Sequence, residues 1–345
     1  MTETEELLVC RQVHPLTHDV TTFVFEYAEP RLFRHDPGQF ITLTVDIDGR
    51  PVQRRYTISS PPTRPFLLSI TVKRVPGGLV SNWLHDHLEP GDTVRAHGPL
   101  GDFSTARHPA SKYLFLSGGV GVTPSMAMTR TLYDLADPAD VVFVHSARAP
   151  RDIVFRHELD LIAATAPNIR VVHICEDDRP YEPWGGYRGR LTIETLRQVA
   201  PDFLEREVFT CGPAPYMAAV RGMLSEAGLD MDHYHQENFT FEALETSTAS
   251  ADTADGTAAG FKVQFARSGR TIECDADTAL LAAASRAGLS LPASCAQGMC
   301  GTCKTTLVSG SVDMRHSGGI RPREITQNKI LLCCSKPLED LVIDS

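Results

Sequence analysis

Hydrophobic and turn-forming positions divide the chain into stretches of different pattern. Residues 1–108 carry short apolar runs separated by turn residues, and helical periodicity is scarce there apart from Leu79–Leu88. The runs include Val20–Tyr27, Phe40–Val45 and Leu67–Lys73. Short strands punctuated by turns predict an antiparallel β-barrel, with a sandwich as the alternative.

Residues 109–245 alternate short apolar runs with helical stretches. The runs read as buried strands are Tyr113–Ser117, Val141–His145, Val171–Cys175 and Val208–Cys211. The helical stretches are predicted at about 124–136, 152–164, 192–200 and 215–227. Because strands and helices alternate, this stretch predicts a doubly wound α/β domain with a parallel sheet.

A linker is predicted at residues 246–260, which contain only Thr, Ser, Ala, Asp and Gly. Such a segment lacks the apolar side chains that a core needs, so we expect a flexible tether. The last domain, 261–345, starts with a predicted hairpin that turns at Ser268-Gly269. A helix with Asp277 or Thr278 as its N-cap is expected next, which makes this an α+β domain.

Composition narrows the class of protein. Apolar residues make up 42% and charged residues 22%, as in globular proteins, and the net charge of −10 argues against nucleic-acid binding. No apolar run approaches the roughly 18 residues of a membrane helix. The acidic start of the chain lacks the layout of a signal peptide, so we expect a cytoplasmic protein without a membrane partner.

The cysteines carry the strongest chemical pattern. Five of the nine lie in the last 51 residues. Cys295, Cys300 and Cys303 follow the spacing C-x4-C-x2-C, and Cys333 comes after 29 intervening residues. This spacing is typical of a plant-type [2Fe–2S] cluster. The alternatives are a structural zinc site and four unrelated buried thiols. Cys334 could compete as a ligand, but the length of the gap favours Cys333.

A glycine-rich loop, Gly118-Gly-Val-Gly-Val-Thr-Pro124, directly follows a predicted strand. Its glycines would let the backbone approach a pyrophosphate at the start of the next helix. The loop lacks the G-x-G-x-x-G fingerprint, and Ser146 and Arg148 stand where an acid would end the second strand. A plain strand–turn–helix connection is therefore the alternative.

Two further segments fit a flavin. Arg54-Arg-Tyr-Thr-Ile-Ser-Ser60 offers cations, an aromatic ring and hydroxyls, and Gly77-Gly-Leu-Val-Ser81 opens a helix whose free N–H groups suit phosphate. Cys211-Gly-Pro213 ends a predicted parallel strand, which is where ligands bind in such sheets. The alternatives are an edge strand, a helix cap and a packed thiol.

These segments, in this order, resemble a ferredoxin–NADP reductase-type flavoprotein with a plant-type ferredoxin domain at its carboxyl end. The chain is most similar to the reductase components of Rieske oxygenases, especially those that demethylate glycine betaine and related quaternary amines. It is also similar to the reductase of hybrid-cluster protein. The closer match is carried by 145–155 (HSARAPRDIVF), 211–217 (CGPAPYM) and 234–239 (YHQENF).

The resemblance implies four parts: a flavin-binding barrel at 1–108, an NAD(P)-binding domain at 109–245, the linker 246–260, and a β-grasp ferredoxin domain at 261–345. It implies that Thr57, Cys211 and Glu237 surround the reacting atoms. Flavin contacts are expected from Arg54, Tyr56, Thr57, Ser59, Gly78, Val80, Ser81 and Phe239. Nicotinamide dinucleotide contacts are expected from Gly118, Gly119, Gly121, Thr123, Ser146, Arg148, Cys211, Gly212 and Pro213.

The resemblance also implies an order of electron transfer. Nicotinamide gives up two electrons as hydride, a [2Fe–2S] cluster accepts one at a time, and a flavin can do both. We expect FAD, with FMN as the alternative, and NADH, with NADPH as the alternative. The expected acceptor is the terminal, Rieske-type component of an oxygenase, or else hybrid-cluster protein or another metalloprotein. A redox sensor without turnover is the third class.

Overall fold

The computed structural model describes residues 5–177, 183–238, 260–289, 291, 298, 301, 303–316, 319–320 and 322–345. The chain divides into two compact units, Met1–Glu237 and Asn238–Ser345. The predicted linker at 246–260 lies outside the described residues except for Gly260. No helix among the described residues is long and apolar enough to cross a bilayer.

The first part of the chain forms an antiparallel barrel. Its elements are β1 (Glu6–Pro15), β2 (Val20–Tyr27), β3 (Phe40–Ile47), β4 (Arg50–Thr57), β5 (Leu68–Lys73), α1 (Leu79–His87) and β6 (Thr93–Leu100). The strand order is β4-β3-β6-β1-β2-β5. A bridge between Ile58 and Ile70 links the two edge strands and closes the sheet. The predicted barrel is therefore confirmed.

The barrel core explains why these runs form strands. Phe23, Phe25, Leu43, Ile58 and Ile70 are fully buried inside the barrel. Burying each such side chain contributes roughly 1.5–3 kcal/mol. In a barrel strand, alternate residues face the interior, so the runs of Val, Ile, Phe and Thr suit this arrangement.

The second part is a doubly wound α/β domain. Its elements are β7 (Lys112–Gly118), α2 (Val122–Asp134), β8 (Asp140–Ala147), α3 (Arg156–Thr165), β9 (Ile169–Cys175), β10 (Tyr187–Arg188), α4 (Ile193–Val199), β11 (Glu207–Gly212), α5 (Ala214–Glu226) and β12 (Tyr234–Asn238). The strand order is β10-β9-β8-β7-β11-β12. β7 pairs in parallel with both β8 and β11. The chain therefore reverses its winding at β7, and the carboxyl ends of β7 and β11 form the crevice where such folds bind ligands.

One helix of this domain begins later than its pattern predicts. The expected start at residue 152 is wrong, because Pro150–Asp152 forms a 3-10 turn and the α-helix begins at Arg156. Phe155 precedes the helix with φ of +60°, a left-handed conformation that separates the two segments.

Two arginines fix the geometry of the first unit. Arg206, 2% exposed, is held by the carboxylates of Asp140 and Asp202, which is how a buried charge is stabilised. Arg130 on α2 contacts Glu158 on α3 and donates to the carbonyl oxygen of Ser59 at 2.5 Å. Since Ser59 belongs to the barrel, this contact ties the barrel to the α/β domain.

The second unit is a small mixed sheet with two short helices among its described residues. Its elements are β13 (Phe261–Phe265), β14 (Arg270–Cys274), α6 (Leu280–Arg286), β15 (Lys304–Ser309), β16 (Val312–Met314), α7 (Pro322–Ile325), β17 (Lys329–Leu331), β18 (Ser335–Pro337) and β19 (Leu341–Ile343). Where the chain is described, five strands run in the order β14-β13-β19-β15-β17, and β16 pairs with β18. The hairpin β13–β14 pairs in parallel with β19, as a β-grasp fold requires. The predicted α+β ferredoxin-like domain is confirmed.

The predicted N-cap of α6 is wrong. The helix begins at Leu280 with Ala279 at its N-cap, and no side chain caps it. The N–H group of Thr278 closes a preceding turn onto the carbonyl oxygen of Asp275. The N–H group of Leu281 donates instead to the carbonyl oxygen of Leu332, 3.0 Å away. A tertiary hydrogen bond thus satisfies an N–H group in the first turn of the helix, as a side-chain cap would.

Candidate active site

Three buried side chains converge where the barrel meets the crevice of the α/β domain. Thr57 ends β4, and its hydroxyl donates to Oε2 of Glu237 on β12 at 3.4 Å. Cys211, near the end of β11, is fully buried. Burial, followed by the negative charge of Glu237, raises the pKa of the Cys211 thiol well above its ordinary value. The thiol is therefore neutral at physiological pH and is not activated as a nucleophile.

The glycine-rich loop is packed against β11 so closely that side chains are excluded. A Cβ on Gly121 would come within 2.4 Å of the carbonyl oxygen of Cys211. A Cβ on Gly212 would lie 2.8 Å from the ring of Tyr216 and 3.2 Å from the nitrogen of Gly118. Gly119 has φ of +54°, which favours glycine. The loop therefore leaves a bare backbone cradle at the start of α2, and this fits a pyrophosphate.

The other predicted nucleotide contacts lie on the same edge of the sheet. Ser146 lies opposite Gly118 in the pairing of β7 with β8. Arg148 follows β8 and is exposed. Thr123 is buried in the first turn of α2, where its hydroxyl donates to the carbonyl oxygen of Val120 at 3.2 Å. Pro213 comes just before α5, and its ring lies 3.3 Å from the position that a Cβ on Gly118 would occupy.

The start of α1 offers the second anion cradle. Gly78 stands at the N-cap, and no side chain caps the helix. A Cβ on Gly78 would lie 2.6 Å from the hydroxyl oxygen of Ser81. That oxygen accepts the N–H group of Val75 at 3.2 Å and so fixes the turn before the helix. The helix N–H groups, including that of the buried Val80, suit a flavin phosphate.

The remaining flavin candidates lie on β4 or just after it. Arg54 and Tyr56 are partly exposed on β4, and burial raises the pKa of the Tyr56 phenol. The hydroxyl of Ser59 lies 3.1 Å from that of Ser69 and 3.0 Å from that of Thr71. The N–H group of Ser59 donates to the carbonyl oxygen of Ser69 at 2.8 Å, and its carbonyl oxygen accepts from Arg130, so both its side chain and its backbone are held by protein groups. Phe239 lies outside the described residues.

Two of the four predicted cluster ligands, Cys303 and Cys333, lie within the described residues. The N–H group of Gly298 donates to Sγ of Cys333 at 3.2 Å, and the N–H group of Cys333 donates to Sγ of Cys303 at 3.5 Å. Backbone N–H bonds to cysteine sulfur stabilise thiolates and tune cluster potential. Both sulfurs therefore fit a [2Fe–2S] cluster. The other two predicted ligands, Cys295 and Cys300, lie outside the described residues.

Sequence reasoning missed a buried histidine beside the crevice. His145 ends the apolar run of β8, and its Nδ1 lies 2.8 Å from the hydroxyl of Ser117 on β7. Burial, with a smaller contribution from His173, lowers the pKa of His145 to about 3. A histidine at the carboxyl end of a predicted parallel strand was the available signal.

Comparisons with known proteins agree with this architecture. Family models match over three segments: an oxidoreductase FAD-binding domain at 8–105, an oxidoreductase NAD-binding domain at 115–222, and a 2Fe-2S iron-sulfur cluster binding domain at 263–338. The matches follow the order of the barrel, the doubly wound domain and the second unit. The cofactors are therefore FAD, NADH and a [2Fe–2S] cluster, as the sequence predicts.

Relatives that match nearly the whole chain show which family it belongs to. The chain is 46% identical over 346 residues to the glycine betaine monooxygenase reductase subunit of Pseudomonas aeruginosa strain UCBPP-PA14, covering 98% of this chain and 94% of that protein. It is 44% identical over 340 residues to the stachydrine N-demethylase reductase subunit Stc4 of Rhizobium meliloti strain 1021, covering 99% and 96%. A solved phthalate dioxygenase reductase shares the fold, with a TM-score of 0.58, 23% identity and coverage of 99% and 98%.

The fold and its site define a flavin-dependent oxidoreductase fused to an iron–sulfur domain. The chain belongs to the family of oxygenase reductase subunits built from FAD-binding, NAD-binding and [2Fe–2S] domains. Two relatives of this chain are named as reductase subunits of a glycine betaine monooxygenase and of a stachydrine N-demethylase. The resemblance predicted from the motifs is confirmed at this level.

Proposed function

We propose that this reductase supplies electrons from NADH to a Rieske-type oxygenase that demethylates a quaternary ammonium substrate. The observation that carries the proposal is the similarity, over nearly the whole chain, to two reductase subunits whose names specify glycine betaine and stachydrine. Both compounds are quaternary ammonium carboxylates. Oxidative N-demethylation of such a substrate consumes O2, NADH and a proton, and it yields the tertiary amine, formaldehyde, NAD+ and water.

The convergence of Thr57, Cys211 and Glu237 supports hydride transfer at this site. Bound FAD would supply the conversion between the two-electron chemistry of NADH and the one-electron chemistry of the [2Fe–2S] cluster. Thr57 presents its hydroxyl at the end of β4, and Glu237 holds that hydroxyl in one orientation. Cys211 bounds the nicotinamide pocket with a neutral, buried thiol. These roles belong to positioning and water exclusion, which place reacting atoms at a productive distance.

The remaining contacts divide between the two nucleotides. We assign the flavin to Arg54, Tyr56, Ser59, Gly78, Val80, Ser81 and Phe239. We assign the nicotinamide dinucleotide to Gly118, Gly119, Gly121, Thr123, Ser146, Arg148, Gly212 and Pro213. The bare backbone at Gly121 and at Gly78 supports both phosphate sites, because each lies at the start of a helix.

The first experiment is an anaerobic titration of the purified protein with NADH. We expect the flavin absorption to bleach and the EPR signal of a reduced [2Fe–2S] cluster to grow in the same sample. A flavin that bleaches beside a cluster that stays oxidised would contradict electron transfer within one chain.

The second experiment tests the partner. The reductase is mixed with a purified Rieske-type oxygenase that acts on glycine betaine or on stachydrine, together with NADH, O2 and the matching substrate. We expect formaldehyde in proportion to the NADH consumed. Failure with both substrates, together with rapid reduction of a hybrid-cluster protein, would overturn the oxygenase assignment in favour of that acceptor.

A further inference from the structure

Four polar side chains cluster at the opposite end of β11 from Cys211. Glu207 is the first residue of β11, and His235 lies on the adjacent strand β12. His233 precedes β12 in a 3-10 turn, and His108 lies in the connection between β6 and β7. Cys211 lies four positions after Glu207 along the extended strand, or about 13 Å away. The cluster is therefore distinct from the hydride-transfer site.

The geometry of three of these groups suits one metal ion. Single ligand atoms of His108, Glu207 and His235 all lie within 4.8 Å of one another. Nε2 of His235 lies 2.5 Å from Oε1 of Glu207. The rings of His108 and His235 stack with centroids 3.7 Å apart. Tetrahedral zinc places its ligand atoms about 3.4 Å apart, so small side-chain rotations bring the three atoms onto one ion.

The fourth side chain, that of His233, contacts the carboxylate of Glu207 from the solvent-exposed side. Nδ1 of His233 lies 2.7 Å from Oε2 of Glu207, the oxygen that faces away from His235. His235 and Glu207 are largely buried, at 9% and 13% side-chain exposure, while His233 is 56% exposed. A partner of this kind orients a metal-binding carboxylate and raises affinity. The exposed side at His233 leaves a route for an ion to enter.

The chemistry of the donors suits a late transition metal. One carboxylate can balance one protonated imidazole, but two stacked imidazoles that are both charged would repel each other. A divalent cation accepts lone pairs from two neutral imidazoles and is balanced in part by the carboxylate. Imidazole nitrogen with carboxylate oxygen suits Zn²⁺ and its late transition-metal neighbours, whereas Mg²⁺ and Ca²⁺ prefer oxygen ligands.

We propose that His108, Glu207 and His235 form a binding site for Zn²⁺ or a similar divalent transition metal. The ion links the connection between the barrel and the α/β domain to the edge of the parallel sheet. Its effect is on the stability of that junction, since the reacting atoms lie at the other end of β11.

The test uses the holoprotein, in which iron occupies the cluster cysteines. Loosely bound metal is first removed with EDTA, and the EDTA is then removed. Isothermal titration with ZnCl2 is expected to show one saturable site, and Zn²⁺ should raise the unfolding midpoint. His108→Asn and Glu207→Gln should each weaken Zn²⁺ binding at least about tenfold. His18→Asn is the matched control, because His18 faces the carboxylates of Asp19 and Asp152 without a second imidazole.

Zinc K-edge absorption identifies the ligands without interference from flavin or iron. We expect nitrogen and oxygen neighbours at about 2.0 Å and no sulfur at about 2.3 Å. The proposal is overturned by a sulfur shell, by equal affinity in wild type and Glu207→Gln, or by dissociation constants weaker than about 100 µM. If one variant fails to fold, as judged by its FAD content, the other variant and the ligand shell of the wild-type protein decide.

Discussion

The hydroxyl of Thr57 lies 3.4 Å from a carboxylate oxygen of Glu237, although 180 positions separate the two residues along the chain. Thr57 ends a barrel strand, and Glu237 lies on the edge strand of the parallel sheet. The contact therefore forms only when barrel and sheet are assembled. It places an oriented hydroxyl between the barrel and the α/β domain, at the position where we propose that nicotinamide meets flavin.

Removing that hydroxyl should slow hydride transfer. Thr57→Ala leaves Glu237 without this partner, and the loss of one hydrogen bond to a charged group costs on the order of 1.5–3 kcal/mol. We expect flavin reduction by NADH to slow about 10- to 100-fold in stopped-flow measurements. Thr57→Ser keeps the hydroxyl and should stay close to the wild-type rate. Equal rates in Thr57→Ala and wild type would contradict this role.

A methyl group at Gly121 should damage NADH binding. Gly121→Ala places a Cβ within 2.4 Å of the carbonyl oxygen of Cys211, so the loop or the end of β11 must move. We expect KM for NADH to rise on the order of tenfold while FAD stays bound, because the proposed flavin phosphate site lies at the start of α1 and not in this loop. The control is Gly222→Ala in α5, where a Cβ meets no atom within 4 Å. An unchanged KM in Gly121→Ala would show that the loop does not hold the dinucleotide.

Adjacent cysteines should differ in their effect on the cluster. Sγ of Cys333 accepts the N–H group of Gly298, whereas Sγ of Cys334 would lie only 2.7 Å from a Cβ at Gly298. Cys333→Ser should lower the iron content or alter the EPR spectrum of the reduced cluster, because serine replaces a thiolate ligand. Cys334→Ser should keep both. The reverse result would make Cys334 the fourth ligand.

Acidification should destabilise the protein through His145. Burial lowers the pKa of His145 to about 3 in the folded state, while an unfolded histidine titrates near about 6.5. The unfolded state thus binds more protons between these values. The stability that a neutral His145 provides is complete above about pH 6.5 and falls as pH drops towards about 3. At pH 5 the loss amounts to about 2 kcal/mol.

Urea unfolding at pH 7 and pH 5 measures this loss. His145→Asn removes the titrating group and retains a polar atom that can face Ser117. We expect the difference between the two midpoints to shrink in this variant. His87→Asn alters an exposed histidine and should leave the difference unchanged. A variant His145→Asn with the full wild-type pH dependence would rule out His145 as its source.

The sequence predicted the elements well where apolar periodicity dominates. Leu68–Lys73 and Tyr113–Ser117 are buried runs, and each forms a strand at the expected place. The start of α6 was misplaced because the carbonyl oxygen of Leu332 satisfies the N–H group of Leu281. That acceptor lies 51 residues away in sequence, so no local capping pattern could reveal it.

Local spacing determined the cofactors of this protein. Cys295, Cys300 and Cys303 fall within nine consecutive residues, and Gly118 to Gly121 within four, so the chemistry of each motif is already present in a short stretch of sequence. Cluster ligation and phosphate binding depend on short-range geometry, which is determined by residues that are close together in the sequence. The same holds for the resemblance to oxygenase reductases, which the motifs carried and the full-length relatives confirmed.

Only the tertiary structure decided which distant residues meet. Thr57 and Glu237, the neutral environment of Cys211, and the stacked rings of His108 and His235 all depend on strands that are far apart along the chain. A pKa and a hydrogen bond reflect burial and partners in space, and neither quantity is encoded in a local pattern. The sequence determined which cofactor each segment can bind. The packing of the barrel against the parallel sheet decided which of those segments lie next to one another.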